Sequence, residues 1–144
     1  MNWLKWIDIP PMWLLAHLAV AFSFPFGLPR LTLFGAALVC AGVALMVLAL
    51  LEMRRHRTTP IPHMEAQALV TKGIFAFSRN PIYLGDVLVL AGVSLYLGAL
   101  VGAILIVVLI RVLYVRFIAP EEARLKARFG ADFDAYARQT RRWI

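Results

Sequence analysis

Charge is scarce in this chain: 16% of its 144 residues are charged and 62% are hydrophobic. A soluble domain carries roughly 25% charged and 45–50% apolar residues, so the composition argues against one and for an integral membrane protein. Cysteine is almost absent. The single Cys40 lies within an apolar run, which excludes a disulfide framework and a cysteine metal site. There are three histidines. His17 sits in an apolar segment and reads as a packed or hydrogen-bonded residue, while His56 and His63 flank loop prolines without a third ligand at metal spacing, so no metal is expected. The first apolar stretch follows Lys5 but lacks an A-x-A cleavage site, and Asp8, Pro10 and Pro11 interrupt its flank, so it is expected to be retained rather than cleaved. No segment repeats at a fixed period or is low in complexity.

What is present is a set of long apolar runs. A span needs about 20 residues at a rise of about 1.5 Å each. Four stretches qualify, at about 12–26, 31–53, 81–97 and 100–118, the last two forming a tight hairpin around Gly98 and Gly102. Small residues in the second stretch, Ala37 with Ala41 or Cys40 with Ala44, are its expected helix-contact positions. The basic residues are one-sided: Arg54, Arg55, Arg57, Lys72 and Arg79 lie in the segment 54–80, six more follow residue 119, and only Arg30 lies opposite. Positive residues stay in the cytoplasm, so the central loop, the tail and both termini are expected there. The net charge of +7 is then a topology signal with attraction to anionic lipid, and nucleic acid is not an expected partner. Compact size, few loops and this charge bias point to a prokaryotic inner membrane.

The central loop is long, yet its stretch "MEAQALVTKGIFAFS" is rich in residues that need burial, so it is expected to fold back over the helix ends. The tail 119–144 carries Leu125, Phe129, Phe133 and Tyr136 at helical spacing with a break near Gly130, which predicts a pair of amphipathic helices, interfacial or lid-like.

Polar residues within spans are expensive and therefore candidate site residues. Asp86 lies about 7.5 Å past Pro81 along the third span, and Arg111 lies about 13.5 Å before Pro120 on the fourth. The hairpin makes a buried Asp86–Arg111 pair and a substrate-facing role comparable expectations. Arg116 is shallower, within reach of the interface. Glu121 and Glu122 follow Pro120, where acids would also suit the start of a new helix. Arg79, Asn80, Tyr83, Glu121 and Glu122 fall at one level, the cytoplasmic ends of the last two spans, and carboxylates beside aromatic faces suit a cationic ligand.

The stretch "LVTKGIFAFSRNPIYLG" at 69–85, the pair Glu121–Glu122 after a hydrophobic hairpin, and the ending "FGADFDAYARQTRRWI" resemble the isoprenylcysteine carboxyl methyltransferase family and its phospholipid methyltransferase relatives. There a T-x-G-Y stretch leads into R-H-P-x-Y-x-G, and a hairpin separates it from two glutamates. The resemblance covers about residues 67–143. It implies S-adenosylmethionine as cofactor, held by Gln67, Ala68, Leu69, Val70, Gly73, Phe75, Asn80, Pro81, Ile82, Tyr83, Gly85, Glu121 and Glu122, with Arg79 orienting the turn. Asn80 stands where the family has histidine; it keeps hydrogen bonding but cannot titrate, so a general base is not expected there. Phe117 stands where eukaryotic members have a substrate arginine, with Arg116 adjacent.

The expected activity is methyl transfer to a lipophilic or small acceptor (carboxylate, thiol or amine) that enters from the bilayer. Arg111 or Arg116 would hold an anionic group of the acceptor, and Asp86 would take a proton from an amine or thiol. Two other readings fit the spans: a small proton-coupled transporter using Asp86, and a non-enzymatic membrane assembly protein.

Overall fold

The computed structural model describes residues 8–59, 64 and 66–144. Among them the chain is helical: α1 Pro10–Ser23, α2 Thr32–Arg55, a 3₁₀ turn Gly73–Ala76, α3 Pro81–Leu97, α4 Val101–Leu113, a π turn Tyr114–Ile118, α5 Ala119–Phe129 and α6 Ala131–Gln139. Thr32–Arg55 and the continuous helix Val101–Phe129 are long and apolar enough to cross a membrane, while Pro10–Ser23 and Pro81–Leu97 are shorter apolar helices. The outer faces carry large apolar side chains, with Leu33 at 87%, Ile104 at 68% and Val107 at 67% exposure. Such a surface in water would be an aggregation liability; in hydrocarbon it is matched.

The main contact is α2 against α3, and glycines make it close. A Cβ on Gly35 would lie 2.5 Å from the Gly92 carbonyl oxygen, and one on Gly42 would lie 2.7 Å from that of Gly85. Both pairs are spaced by seven residues, so they stay on facing stripes of two antiparallel helices. The expected contact residues Ala37, Cys40, Ala41 and Ala44 are instead exposed. They are small, but the register of α2 turns them to the outside.

At the hairpin end, Leu28 N–H donates to the Gly98 carbonyl, Leu31 to Leu95 and Leu100 to Phe26, each at 3.0 Å. Gly98 closes α3 at φ 74°, a left-handed position where a Cβ would also strike the Leu28 carbonyl at 2.5 Å. The first helix starts at Pro10 and ends at Ser23, earlier at both ends than the run 12–26.

The largest departure lies at the other end. The sequence predicts a new helix starting at Pro120, but the helix passes straight through it. Proline donates no N–H and its ring crowds the carbonyl four residues back, that of Arg116. The chain widens into the π turn at Tyr114–Ile118 and then resumes α geometry. No free helix N-terminus exists there, so Glu121 and Glu122 are not caps.

The core joins Tyr83, Leu90, Leu109, Leu113, Phe117 and Ile118 from α3, α4 and the π turn, with Trp13, Leu14 and Leu18 of α1 against it. A second cluster folds the central loop onto α2, with Val70 and Phe75 on Ala49 and Met53. His17 is buried and its Nδ1 lies 2.7 Å from the Trp13 carbonyl; His63 lies outside the described residues.

Candidate functional site

The stretch before α3 is tied down by the C-terminal tail. Tyr136 donates its hydroxyl to the Phe75 carbonyl (2.6 Å) and Thr140 to that of Ala76 (3.3 Å). Arg79 N–H reaches the Arg141 carbonyl at 3.0 Å. Its Nη1 donates to the carbonyls of Ala137 (2.9 Å) and Thr140 (3.2 Å), and its Nη2 to Glu122 Oε1 (3.1 Å). Asn80 precedes Pro81 at φ −131° and ψ 57° and does not cap α3 with its side chain; Nδ2 donates to the Arg142 carbonyl at 3.0 Å. Arg142 in turn grips both oxygens of Glu122, at 2.8 Å through Nη2 and 3.1 Å through Nε, and lies 5.0 Å over the Tyr114 ring. The Glu122 hydrogen bonds push the Arg142 guanidinium above its already high range, so it remains charged. Burial pushes the Tyr136 phenol well above its usual value, so it remains a donor.

Two cavities meet at this turn. One of about 390 Å³ lies under the loop, walled by Thr58, Ala68, Leu69 and Val70 on one side and by Arg124, Leu125 and Arg128 of α5 on the other. A second of about 470 Å³ lies toward the apolar part, walled by Ile9, Pro10, Pro11, Met46, Leu50, Asn80, Pro81, Ile82, Tyr83 and Asp86. Met53, Phe75, Arg79 and Glu121 belong to both walls. At this junction Tyr83 donates its hydroxyl to Glu121 Oε2 at 3.1 Å. The π turn at Tyr114–Ile118 lies between α4 and Glu121, and its wider geometry shifts the rotation of the residues that follow.

Among the residues singled out in the sequence, Ala68, Leu69, Val70, Phe75, Arg79, Asn80, Pro81, Ile82, Tyr83, Asp86 and Glu121 therefore line one or both cavities. The others do not. Gln67 lends its N–H to Thr58 Oγ1 (3.1 Å), beside the first cavity. Gly73 is a turn residue at φ 60°, pressed against Glu52. Gly85 faces α2, where a Cβ would meet Gly42 and Met46 at 2.7 Å, so it serves helix packing. Glu122 is held between Arg79 and Arg142.

Of the two expectations for Asp86 and Arg111, the buried pair does not form. Asp86 is 3% exposed and its Oδ2 has no hydrogen-bond partner, while Arg111 is exposed. Arg111 follows Ile104, Val107 and Val108 on the outer stripe of α4, one heptad and one turn along. Rotation about the helix axes separates them: α3 turns Asp86 inward and α4 turns Arg111 outward. Arg116 is likewise outside the cavities, bound to Asp8 through Nη2 (2.7 Å) and Nε (3.0 Å) and 5.3 Å over Trp13.

The sequence does not single out Thr140, Arg142 or Ser78, whose hydroxyl accepts the Asn80 N–H at 3.2 Å and donates to the Arg142 carbonyl at 3.5 Å. By charge alone the tail arginines read as topology signals; the signal available for Arg142 is the ending "TRRWI", within the resembling stretch. Residues 31–132 match the model of a family described as phospholipid methyltransferase. No curated protein and no solved structure matches the chain.

Proposed function

We propose that this chain, which belongs to the phospholipid methyltransferase family, transfers a methyl group from S-adenosylmethionine to a lipophilic or small acceptor at the cytoplasmic face of a membrane. The observation that carries the proposal is the pair of cavities sharing Phe75, Arg79 and Glu121. Each volume falls in the range of roughly 300–1,000 Å³ usual for small-molecule sites. Their chemistry differs, which suits two different partners.

The loop-side cavity fits the cofactor. Phe75, Leu69 and Val70 offer an apolar wall for a purine, Arg124 and Arg128 a cationic side for a carboxylate, and Glu121 an acceptor for an amino or ribose group. When bound, the cofactor supplies an electrophilic methyl group on a sulfonium. The chain's part is to bind, orient and keep water out, and such positioning can contribute about 7–11 kcal/mol. Glu121 and Tyr83 form a fixed hydrogen-bonded edge at the junction. Arg79, held by Glu122 and the tail, keeps the turn from opening. The mostly apolar second cavity admits the acceptor from the bilayer side.

In this reading the four apolar helices all span. The short α1 and α3 carry the site at their ends, and both termini lie in the cytoplasm with the basic residues. A prokaryotic inner membrane suits this charge distribution. Family membership favours methyl transfer over transport or assembly. Calorimetric titration of the detergent-purified chain with S-adenosylhomocysteine tests it: saturable heat and thermal stabilisation are expected, and their absence refutes the reading. Incubation with methyl-labelled cofactor and a membrane lipid extract then identifies the acceptor.

A further inference from the structure

Among the described residues, Asp86 is the carboxyl side chain of the site that has a buried oxygen without a partner. It lies one helical turn past Tyr83 on the same face of α3, in the wall of the second cavity. It is 3% exposed, and Oδ2 has no partner. Of the neighbouring donors, the Tyr83 hydroxyl goes to Glu121 and both terminal nitrogens of Arg79 go to the tail and Glu122, while Arg79 Nε is buried without a partner and does not bond Asp86. Arg111 is turned outward. Much of the surrounding wall is apolar, including Pro10, Pro11, Met46, Leu50 and Ile82. A carboxyl oxygen kept in such a place without a partner is a destabilising feature that a ligand's donor would relieve.

We propose that Asp86 is the proton acceptor of the reaction and selects acceptors whose nucleophile carries a proton, an amine or a thiol, over carboxylates. The proposal rests on the methyl-transfer reading. With a thiol, the S–H proton passes to Asp86 and a sulfur electron pair forms the bond to the methyl carbon. The carbon–sulfonium bond breaks with its pair left on the departing sulfur. With an ammonium group, one proton passes to Asp86 before attack, and the product nitrogen ends with the positive charge that the sulfonium loses. Asp86 gives up the proton when the product leaves and water enters. An acceptor carboxylate would instead bring a second anion against Asp86, which like-charge repulsion disfavours.

The test uses the full chain in detergent, tritiated-methyl S-adenosylmethionine and probes of equal tail: decylamine, decanethiol and decanoate. Label is expected in the amine or the thiol and not in methyl decanoate. Asp86→Asn should lower that transfer at least about 100-fold while S-adenosylhomocysteine affinity stays within about twofold. Asp86→Asn and Asp86→Leu should melt no lower than the parent, because a partnerless buried carboxyl contributes no stability. Label in methyl decanoate, label in none of the probes although S-adenosylhomocysteine binds, or unchanged transfer by Asp86→Asn each overturns the assignment alone. If the parent chain does not bind S-adenosylhomocysteine, the methyl-transfer reading falls and takes this one with it.

Discussion

Replacing Glu122 by alanine should damage the protein more than replacing Arg142, although the two side chains are partners. Glu122 is 17% exposed and Arg79 is 12% exposed, whereas Arg142 is 38% exposed. Loss of Glu122 leaves the Arg79 guanidinium nearly buried with Nη2 unpaired, beside an Nε that already has no partner. Removing one member of a buried pair costs about 3–5 kcal/mol, and the residual exposure reduces that to about 2–4 kcal/mol here. Loss of Arg142 removes a half-solvated pair and its stacking on Tyr114, for about 1 kcal/mol. The Arg142 carbonyl that holds Asn80 survives that substitution. The assay is thermal unfolding in detergent with S-adenosylhomocysteine affinity measured alongside. Because Arg79 lines both cavities, Glu122→Ala should also weaken binding by about tenfold, equivalent to about 1.4 kcal/mol. An Arg142→Ala variant as unstable as Glu122→Ala, or a Glu122→Ala variant with parental stability, would refute the reasoning that burial of Arg79 sets the cost.

Other outcomes follow from the same geometry. Gly85→Ala places a Cβ 2.7 Å from a backbone oxygen of α2 and should cost about 1–3 kcal/mol or more. Ala41→Leu, on the exposed face of α2, should leave the melting temperature in detergent unchanged. Tyr136→Phe removes the 2.6 Å bond to the buried Phe75 carbonyl and should cost about 1–3 kcal/mol, read as a lower melting temperature. Because burial raises the Tyr136 pKa, the fold favours the neutral phenol: that stability is present below about pH 10 and declines above it as the unfolded phenol ionises. Tyr136→Phe should therefore flatten the alkaline fall in melting temperature measured across pH 9–11. Tyr83→Phe removes the bond to Glu121 and should lower methyl transfer while costing about 1 kcal/mol of stability.

Much of this was legible without coordinates because the informative signals are local. Apolar length, proline at residue 81, glycine at residue 98 and the break at Gly130 mark helix limits through backbone chemistry that neighbours in sequence control. Residues 68–70, 79–83 and 121 were singled out with the help of the family resemblance, and the structure sets them in the walls of the two cavities. The failures share a different cause. Ala37 and Ala41 have the right size and Arg111 a place within an apolar run, but all three face outward, because rotation about a helix axis is chosen by what packs on the opposite side.

The sequence by itself therefore determined a hydrophobic, one-sidedly basic, helical chain whose polar residues gather near one end, since composition and spacing need no partner to be read. Tertiary structure alone decided that Gly35 and Gly42 rather than the alanines seat α2 on α3, and that the tail carbonyls hold Arg79 and Asn80. It also decided that Asp86 faces a cavity rather than an arginine. Those outcomes depend on residues as far apart as Asn80 and Arg142, whose meeting is settled only when the helices pack.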